Sequence, residues 1–275
     1  MSVDSFIIDG ARSPIGTKNG QMVGVRSDDL SAQVIQGLMQ RNTNIPSEVI
    51  EDVVVGCAFP EGPQGMLMAR SISVLAELPI ESGAKVVNRF CGSSMDSVHQ
   101  LSQAVLAGDI DAGIAAGVED MFSVPMGGFN PSFHPDLYEK EFYIGMGDTA
   151  EILAKDLDIS REDQEAFAVN SHKKALAAIE AGRYDNEIIP AQVNGVEVSK
   201  DEGPRTPDLD KIKSLDPAFD ADGSVTAATS SPISVGAAAA IIMGGDKAKE
   251  LGVSPKFKIK SRAVAGVDWM RMGSG

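Results

Sequence analysis

Cys91 is the residue of this sequence best suited to act as a nucleophile. The apolar residues Val86 and Val87 end just before it, and a helical pattern begins directly after it. The cysteine is therefore expected where a strand turns into a helix, and there the unpaired N–H groups of the first helical turn stabilise a thiolate. A thiolate in that place is suited to covalent catalysis. The local pattern fits a plainer reading equally well, with Cys91 a small core residue.

The elements that must position Cys91 follow from the same stretch. Apolar residues recur at spacings of three and four after it, at Met95, Val98, Leu101 and Val105. Gly108 is expected to end this helix, and the hydroxyls of Ser93 and Ser94 are expected to cap its start. Gly92 permits another chain or a ligand to approach closely. Strands and helices alternate in the surrounding sequence, which favours a layered α/β domain with a buried sheet.

Five motifs along the chain resemble the thiolase family, and 3-ketoacyl-CoA thiolases in particular. They are IIDGARSPIGTKNG at 7–20, NRFCGSSMDSVH around Cys91, GVEDM at 117–121, GMGDTAE at 145–151 and PAFDADGSVTAATSS at 217–231. The resemblance implies an α/β fold that is one half of a layered α-β-α-β-α arrangement, with an inserted, mainly helical loop domain. The second half of the family's chain is absent from these residues.

The resemblance also implies a role for individual residues. Cys91 matches the nucleophile that carries the acyl group, and its backbone N–H matches one oxyanion donor. Ser231 matches a serine that contacts the pantetheine of coenzyme A, and Met146 matches a methionine of the acyl pocket. Arg205 aligns with an arginine at the nucleotide end of coenzyme A. From the residues alone, Met146 could instead be a core methionine and Arg205 a solvated surface side chain.

The sequence departs from the family pattern next to Ser231. Pro232 stands where the family usually has glycine or alanine, and Val235 stands where it usually has aspartate. Gly145 occupies a position where acetoacetyl-CoA thiolases often carry histidine, which favours the 3-ketoacyl type over the alternative, an acetyl-CoA C-acetyltransferase. The glycine and alanine residues at 236–240 permit close approach, either to a ligand or between packed elements.

The resemblance divides the chain into three segments. Residues 1–121 are expected to form the N-terminal α/β core, residues 122–233 the loop domain that covers coenzyme A, and residues 234–275 the return to the core. Within the insertion, helices are expected at 149–157 and 160–181, and Asn194-Gly195 predicts a tight hairpin. Closing strands are expected at 241–243 and 257–265.

Composition narrows the class of protein further. The 275 residues carry 24 lysines and arginines against 39 acidic residues, and the net charge of −15 argues against nucleic acid or an anionic membrane as a partner. No apolar run is long enough to span a bilayer, and MSVDSF lacks the features of a targeting segment. Two cysteines, with Cys57 taken as structural, suit a reducing cytoplasm. The three histidines are too scattered for a metal site.

The resemblance implies that coenzyme A and acyl-CoA are substrates, that no cofactor is held permanently, and that the protein is a homodimer or homotetramer. The activating histidine, the second cysteine, the asparagine and the other oxyanion donor of the family lie in its C-terminal domain. None of His99, His134 and His172 matches that histidine. These 275 residues alone are therefore expected to be inactive or nearly so.

Other readings of Cys91 remain open. A cysteine hydrolase would need a histidine within hydrogen-bond reach of Cys91. A non-catalytic acyl-CoA or lipid-binding member of the same fold would bind its ligand without acyl transfer. Ketoacyl synthases share the cysteine but lack the loop-domain motifs, so they rank below a thiolase.

Overall fold

The computed structural model of the protein describes residues 4–275. Its strands are β1 (Ser5–Arg12), β2 (Gly16–Thr17), β3 (Asp52–Gly56), β4 (Gly83–Val87), β5 (Ala112–Asp120), β6 (Ala191–Val193), β7 (Val196–Val198), β8 (Ser234–Gly244) and β9 (Phe257–Lys258). Its α-helices are α1 (Ser27–Arg41), α2 (Met68–Leu75), α3 (Ser93–Ala107), α4 (Pro135–Glu139), α5 (Met146–Asp156), α6 (Arg161–Glu180), α7 (Leu209–Lys213) and α8 (Gly245–Glu250). Short 3₁₀ turns lie at Ser47–Val49, Gly62–Gln64 and Trp269–Ser274.

The main sheet has the strand order β4-β3-β5-β8-β1-β9, and β2 pairs with β8 beside β1. β4, β3 and β5 are parallel, whereas β8 is antiparallel to both β5 and β1. The carboxyl ends of the three parallel strands therefore lie at one edge. The residues that follow β4, which include Cys91, lie at that edge.

Helices cover the sheet on both faces because side chains alternate along each strand. Val53 and Val55 of β3 pack in the large cluster that also contains residues of α1 and α2. Val54, between them, packs with Leu101 and Val105 of α3 on the opposite face. This is the layered α/β architecture expected from the sequence, and it places α3 over the second face of β3 and β5.

The glycine and alanine residues at 236–240 lie in β8, at the centre of the sheet. Val235, Ala237 and Ala239 are buried on one of its faces. Val235, which replaces the family's aspartate, is therefore a core residue paired with Gly16 and Asp120.

The chain forms two compact units. The sheet unit contains the residues up to Asn130, Asp185–Gly203 and Ile233–Arg262; the helical unit contains Pro131–Tyr184, Pro204–Pro232 and Ala263–Gly275. Three segments thus group differently from the segments expected from the sequence: 122–130 and 185–203 belong with the sheet, and 263–275 with the helices.

Local predictions in the insertion agree with the structure. Asn194 and Gly195 both have positive φ, 50° and 81°, as a two-residue hairpin between β6 and β7 requires. Ser160 precedes α6 and accepts a hydrogen bond from the Asp163 N–H, so it caps that helix. The closing strand expected at 257–265 is shorter, because only Phe257–Lys258 pairs with β1.

Candidate active site

Cys91 lies in a sharp turn between β4 and α3. β4 ends at Val87. Phe90 has a backbone φ of 45°, which residues other than glycine rarely adopt. Gly92 follows as the residue before the first turn of α3, and Cys91 is an exposed free thiol. The strained residue therefore directly precedes the cysteine, and the turn presents the sulfur at the surface near the N-terminus of α3.

Ser93 holds this turn closed, and this differs from the predicted helix cap. Its hydroxyl accepts a hydrogen bond from the Arg89 N–H at 2.8 Å and donates one to the Phe90 carbonyl at 2.5 Å. No side chain caps the start of α3. The prediction that Ser93 and Ser94 cap the helix is therefore wrong, because the hydroxyl of Ser93 turns back to the residues before Cys91.

Asn88 fixes the same turn from its other end. Its side-chain oxygen accepts a hydrogen bond from the Phe90 N–H at 2.9 Å, and its amide group donates one to the Ala58 carbonyl at 2.9 Å. The turn is thus joined to the segment after β3.

Two glycines allow α3 to begin directly on the sheet. A Cβ atom at Gly56 would lie 2.4 Å from the backbone nitrogen of Ser94, and one at Gly117 would lie 2.4 Å from the Ser94 Cβ. Real Cβ atoms do not approach other atoms so closely, so the first turn of α3 needs glycine on both β3 and β5. These two glycines therefore set how deeply the helix N-terminus, and the cysteine before it, sits against the sheet.

Glu119, at the end of β5, organises the loop after β3. Its carboxylate accepts hydrogen bonds from the N–H groups of Ala58 and Phe59, at 2.7 and 3.3 Å, and from the Gln64 amide at 2.9 Å. Gln64 is fully buried, and its oxygen accepts a hydrogen bond from the Asp120 N–H. The GVEDM motif therefore supplies the polar centre of this region.

The roles of Glu119 and Gln64 were missed at the sequence level. GVEDM marked the region, but the partners of the carboxylate lie some 60 residues away along the chain.

Cys57 lies in surroundings that differ from those of Cys91. It is buried, and its sulfur lies 3.6 Å from the Glu119 carboxylate. Burial, together with the charge of Glu119, raises the pKa of the Cys57 thiol to about 12. Because the thiol stays protonated near neutral pH, Cys57 is a poor nucleophile, as its interpretation as a structural residue requires.

All three predicted substrate-binding residues lie in the helical unit. Met146 is the first residue of α5 and is partly exposed, Ser231 lies in the exposed segment before β8, and Arg205 is exposed after Gly203. The Arg205 N–H donates a hydrogen bond to the Nδ1 atom of His172 at 3.3 Å. Cys91 belongs to the sheet unit.

The three histidines lie in loops and helices, and two of them accept hydrogen bonds from backbone N–H groups. The Nδ1 atom of His134 accepts a hydrogen bond from the Asp136 N–H, and that of His172 accepts the bond from Arg205. His99 lies inside α3. Within residues 4–275, no three His, Cys, Asp or Glu side chains form a group that could hold a metal ion.

None of the helices in the described part of the chain combines the length and the apolar character needed to span a bilayer.

Comparison with known proteins gives a consistent result over nearly the whole chain. Residues 5–246 match the family model described as the N-terminal domain of thiolase. The chain is 44% identical over 283 residues to the 3-ketoacyl-CoA thiolase of Alcanivorax borkumensis. This match covers 99% of the chain and 72% of that protein.

Two further relatives show the same extent of similarity. The 3-ketoacyl-CoA thiolase of Bacillus subtilis is 41% identical over 289 residues, covering 99% of this chain and 74% of the relative. That of Shewanella baltica is 43% identical over 282 residues, with 98% and 72% covered. The motifs, the fold and these matches agree, and the chain belongs to the thiolase family.

Proposed function

We propose that this protein is a thiolase-type acyltransferase that cleaves 3-ketoacyl-CoA to acetyl-CoA and a shortened acyl-CoA, or runs the reverse condensation. The observation that carries the proposal is the exposed thiol of Cys91, held by a strained turn near the N-terminus of an α-helix. Relatives that are 44% and 41% identical to it over nearly the whole chain are named 3-ketoacyl-CoA thiolases. The second thiol of the chain, Cys57, is buried and protonated, and so does not compete for this role.

The reaction proceeds through an acyl-cysteine. The Cys91 thiolate attacks the keto carbon of the substrate, and the bond between that carbon and its neighbour on the thioester side breaks. The electron pair of the broken bond takes up a proton, and acetyl-CoA leaves. The thiol of a second coenzyme A then attacks the thioester on Cys91, which releases the shortened acyl-CoA and restores the thiol. Each attack passes through an oxyanion that needs hydrogen-bond donors, one of which is the Cys91 N–H.

The fold supports this chemistry by keeping the nucleophile in one place. Ser93 and Asn88 close the turn that contains Cys91, and the glycines of β3 and β5 let α3 lie directly on the sheet. A rigid nucleophile loses little entropy when the reaction begins.

In this proposal the helical unit binds the substrate. Ser231 contacts the pantetheine, Met146 lines the acyl pocket and Arg205 binds the nucleotide end of coenzyme A, with no permanently held cofactor. We further propose a homodimer or homotetramer in the cytoplasm, where a reducing environment keeps Cys91 as a thiol. Because the C-terminal domain of the family carries the activating residues, the 275-residue chain is expected to bind coenzyme A but to turn over little or no substrate.

The test is the intact mass of the protein after incubation with acetoacetyl-CoA. It compares the 275-residue chain, a longer chain in which a thiolase C-terminal domain follows Gly275, and the Cys91→Ala variant of each. We expect an acyl adduct on the longer chain that disappears with Cys91→Ala, and little adduct on the shorter chain.

Each of the other outcomes decides against part of the proposal. No adduct on the longer chain, although coenzyme A protects it from unfolding, would contradict catalysis and favour a binding protein. An adduct that persists in Cys91→Ala would exclude Cys91 as the nucleophile. An adduct lost when His99, His134 or His172 is replaced by alanine would favour a cysteine hydrolase mechanism.

A further inference from the structure

The segment from Pro217 to Thr226 forms a closed loop that packs on α5. The Ala218 N–H donates a hydrogen bond to the Val225 carbonyl at 2.8 Å, and Pro217 and Thr226 form an antiparallel bridge. Inside the loop, the ring of Phe219 lies over Gly147 of α5, where a Cβ atom would come within 2.1 Å of the ring. The loop and the helix belong to the same unit of the structure.

Glu151 joins the loop to α5 one helical turn after Gly147. Its carboxylate accepts hydrogen bonds from the Ser224 N–H at 2.9 Å, the Val225 N–H at 2.7 Å and the Ser224 hydroxyl at 3.1 Å. Residues four apart lie on the same face of a helix, so Gly147 and Glu151 form one surface for the loop.

Gly223 leaves room for this carboxylate. A Cβ atom at Gly223 would lie 2.3 Å from the Glu151 carboxylate oxygen. Gln164 of α6 also donates a hydrogen bond to the Ser224 hydroxyl at 2.9 Å. Two helices therefore converge on Ser224.

A rigid turn connects this anchor to Ser231. Thr226 is fully buried, and its carbonyl accepts hydrogen bonds from the hydroxyls of Thr229 and Ser230, at 3.2 and 2.8 Å. The Thr229 hydroxyl in turn accepts one from the Thr226 N–H at 2.9 Å. Ser231 follows directly and is exposed. Its position is thus set by a short, hydrogen-bonded path that begins at the carboxylate of Glu151.

We propose that Glu151 is a positioning residue for coenzyme A binding: its carboxylate holds the loop at 217–226 on α5 and thereby places Ser231 for contact with the ligand. The inference rests on the proposed function, because that is what gives Ser231 its role. α5 also begins with Met146, so one helix sets both the acyl-pocket residue and the pantetheine contact.

The test is a double-mutant cycle on coenzyme A binding, measured by titration calorimetry on the 275-residue chain. Glu151→Gln keeps the size of the side chain but replaces one carboxylate oxygen by an NH₂ group, which cannot accept a hydrogen bond from the Ser224 N–H. We expect this variant to bind coenzyme A about tenfold more weakly. Ser231→Ala is also expected to weaken binding, and the double variant to bind no more weakly than the weaker single variant, since both changes remove one interaction.

A matched control separates the charge of Glu151 from its contacts. Glu162→Gln removes the same charge from an exposed position in the first turn of α6, and it should leave the dissociation constant unchanged. The Ser224→Ala variant takes the place of Glu151→Gln in the cycle if the latter does not fold. It removes the hydroxyl contact with Glu151 but keeps both backbone hydrogen bonds, so a smaller loss of affinity is expected, again absent in the Ser231→Ala background.

The outcomes distinguish this inference from the proposed function. Unchanged affinity in folded Glu151→Gln would overturn the inference alone. So would losses that add fully in the double variant, because Glu151 would then act on something other than Ser231. Failure of the unmodified chain to bind coenzyme A would overturn the proposed binding role of the helical unit, and the inference with it.

Discussion

Asp9 is a buried carboxylate in the interior of β1. Its oxygens contact the Arg41 guanidinium at 2.8 Å, the Asn42 amide at 2.9 Å, the Gly10 N–H at 2.8 Å and the Lys256 ammonium. Burial by itself would raise the pKa, but the hydrogen bonds from Lys256, Asn42, Gly10 and Arg41 together outweigh it and lower the pKa of Asp9 from 3.8 to about 2.

This shift predicts how stability depends on pH. Because the folded-state pKa lies below that of the unfolded chain, ionised Asp9 stabilises the fold above about pH 4 by about 2 kcal/mol. The contribution is lost as the pH falls through 4 toward 2. Asp9→Asn should lower the free energy of unfolding by at least about 2 kcal/mol at pH 7, with a smaller difference near pH 2, in urea titrations at both pH values.

Asp4→Asn is the control for Asp9. Asp4 pairs with Lys258 at 2.6 Å, but both side chains are more than one-third exposed. Exposed pairs contribute little, so this variant should differ from the unmodified protein by less than about 1 kcal/mol. An equal loss in both variants would contradict the special role of the buried carboxylate.

Among the elements, α3 and the sheet beneath it depend on the absence of side chains at two positions. Gly56→Ala would bring a Cβ atom to 2.4 Å from the backbone of Ser93 and Ser94, and backbone cannot move aside as a flexible side chain can. We expect α3 to shift at its N-terminus, with a loss of about 1–3 kcal/mol in stability and slower acylation of Cys91.

Gly10→Ala provides the comparison. Gly10 also lies in a strand of the sheet, but a Cβ atom there would meet nothing closer than 3.6 Å. This variant should retain both its stability, measured by urea titration, and its rate of acylation, measured by time-resolved mass spectrometry on the longer chain that carries a thiolase C-terminal domain. If Gly56→Ala also retained its stability and its acylation rate, then α3 would not need to approach β3 so closely.

Elements whose signals are local were predictable from the sequence. The strand, turn and helix around Cys91 and the Asn194-Gly195 hairpin depend on residues within a few positions of one another, and the structure contains them all. Helix caps were harder, because Ser93 could bond either forward to α3 or back to Arg89, and only the folded turn decides between the two. α1 likewise begins at Ser27 without a side-chain cap.

Residues that act over long sequence distances were not predictable. Three carboxylates join segments that are far apart in the chain, those of Asp9, Glu119 and Glu151. No periodicity of the sequence reveals such partners. The resemblance to thiolases marked the motifs that contain these residues, but it did not say what each carboxylate holds.

At the scale of the whole molecule, the segment 185–203 is joined to the sheet unit by ion pairs. Arg12 of β1 contacts Asp201 through two nitrogens, at 2.7 and 2.9 Å, and Glu187 through a third at 2.8 Å. Asp201 also accepts a hydrogen bond from the Ile15 N–H, and Glu202 accepts one from the Thr17 N–H. These contacts explain why the segment groups with the sheet, although in the sequence it comes after one stretch of the helical unit and before the next.

Asp201→Asn should loosen this connection. The bidentate pair is mostly buried, so we expect a loss of about 2 kcal/mol in the free energy of unfolding and faster cleavage within 185–203 in limited proteolysis. Glu197→Gln, which changes an exposed carboxylate in β7, is the control and should leave both measurements unchanged. Equal cleavage rates in all three proteins would contradict an anchoring role for Asp201.

The antiparallel strand β8 has a consequence for synthesis on the ribosome. It lies between β5 and β1, and among the described strands β1 pairs with β8 and β9, which begin at Ser234 and Phe257. During translation β1 therefore has to wait until residues beyond Ser234 emerge, while β3, β4 and β5 can pair with one another much earlier. The nascent chain has to shield an unpaired β1 until β8 is made, and a chaperone would be needed most during that interval.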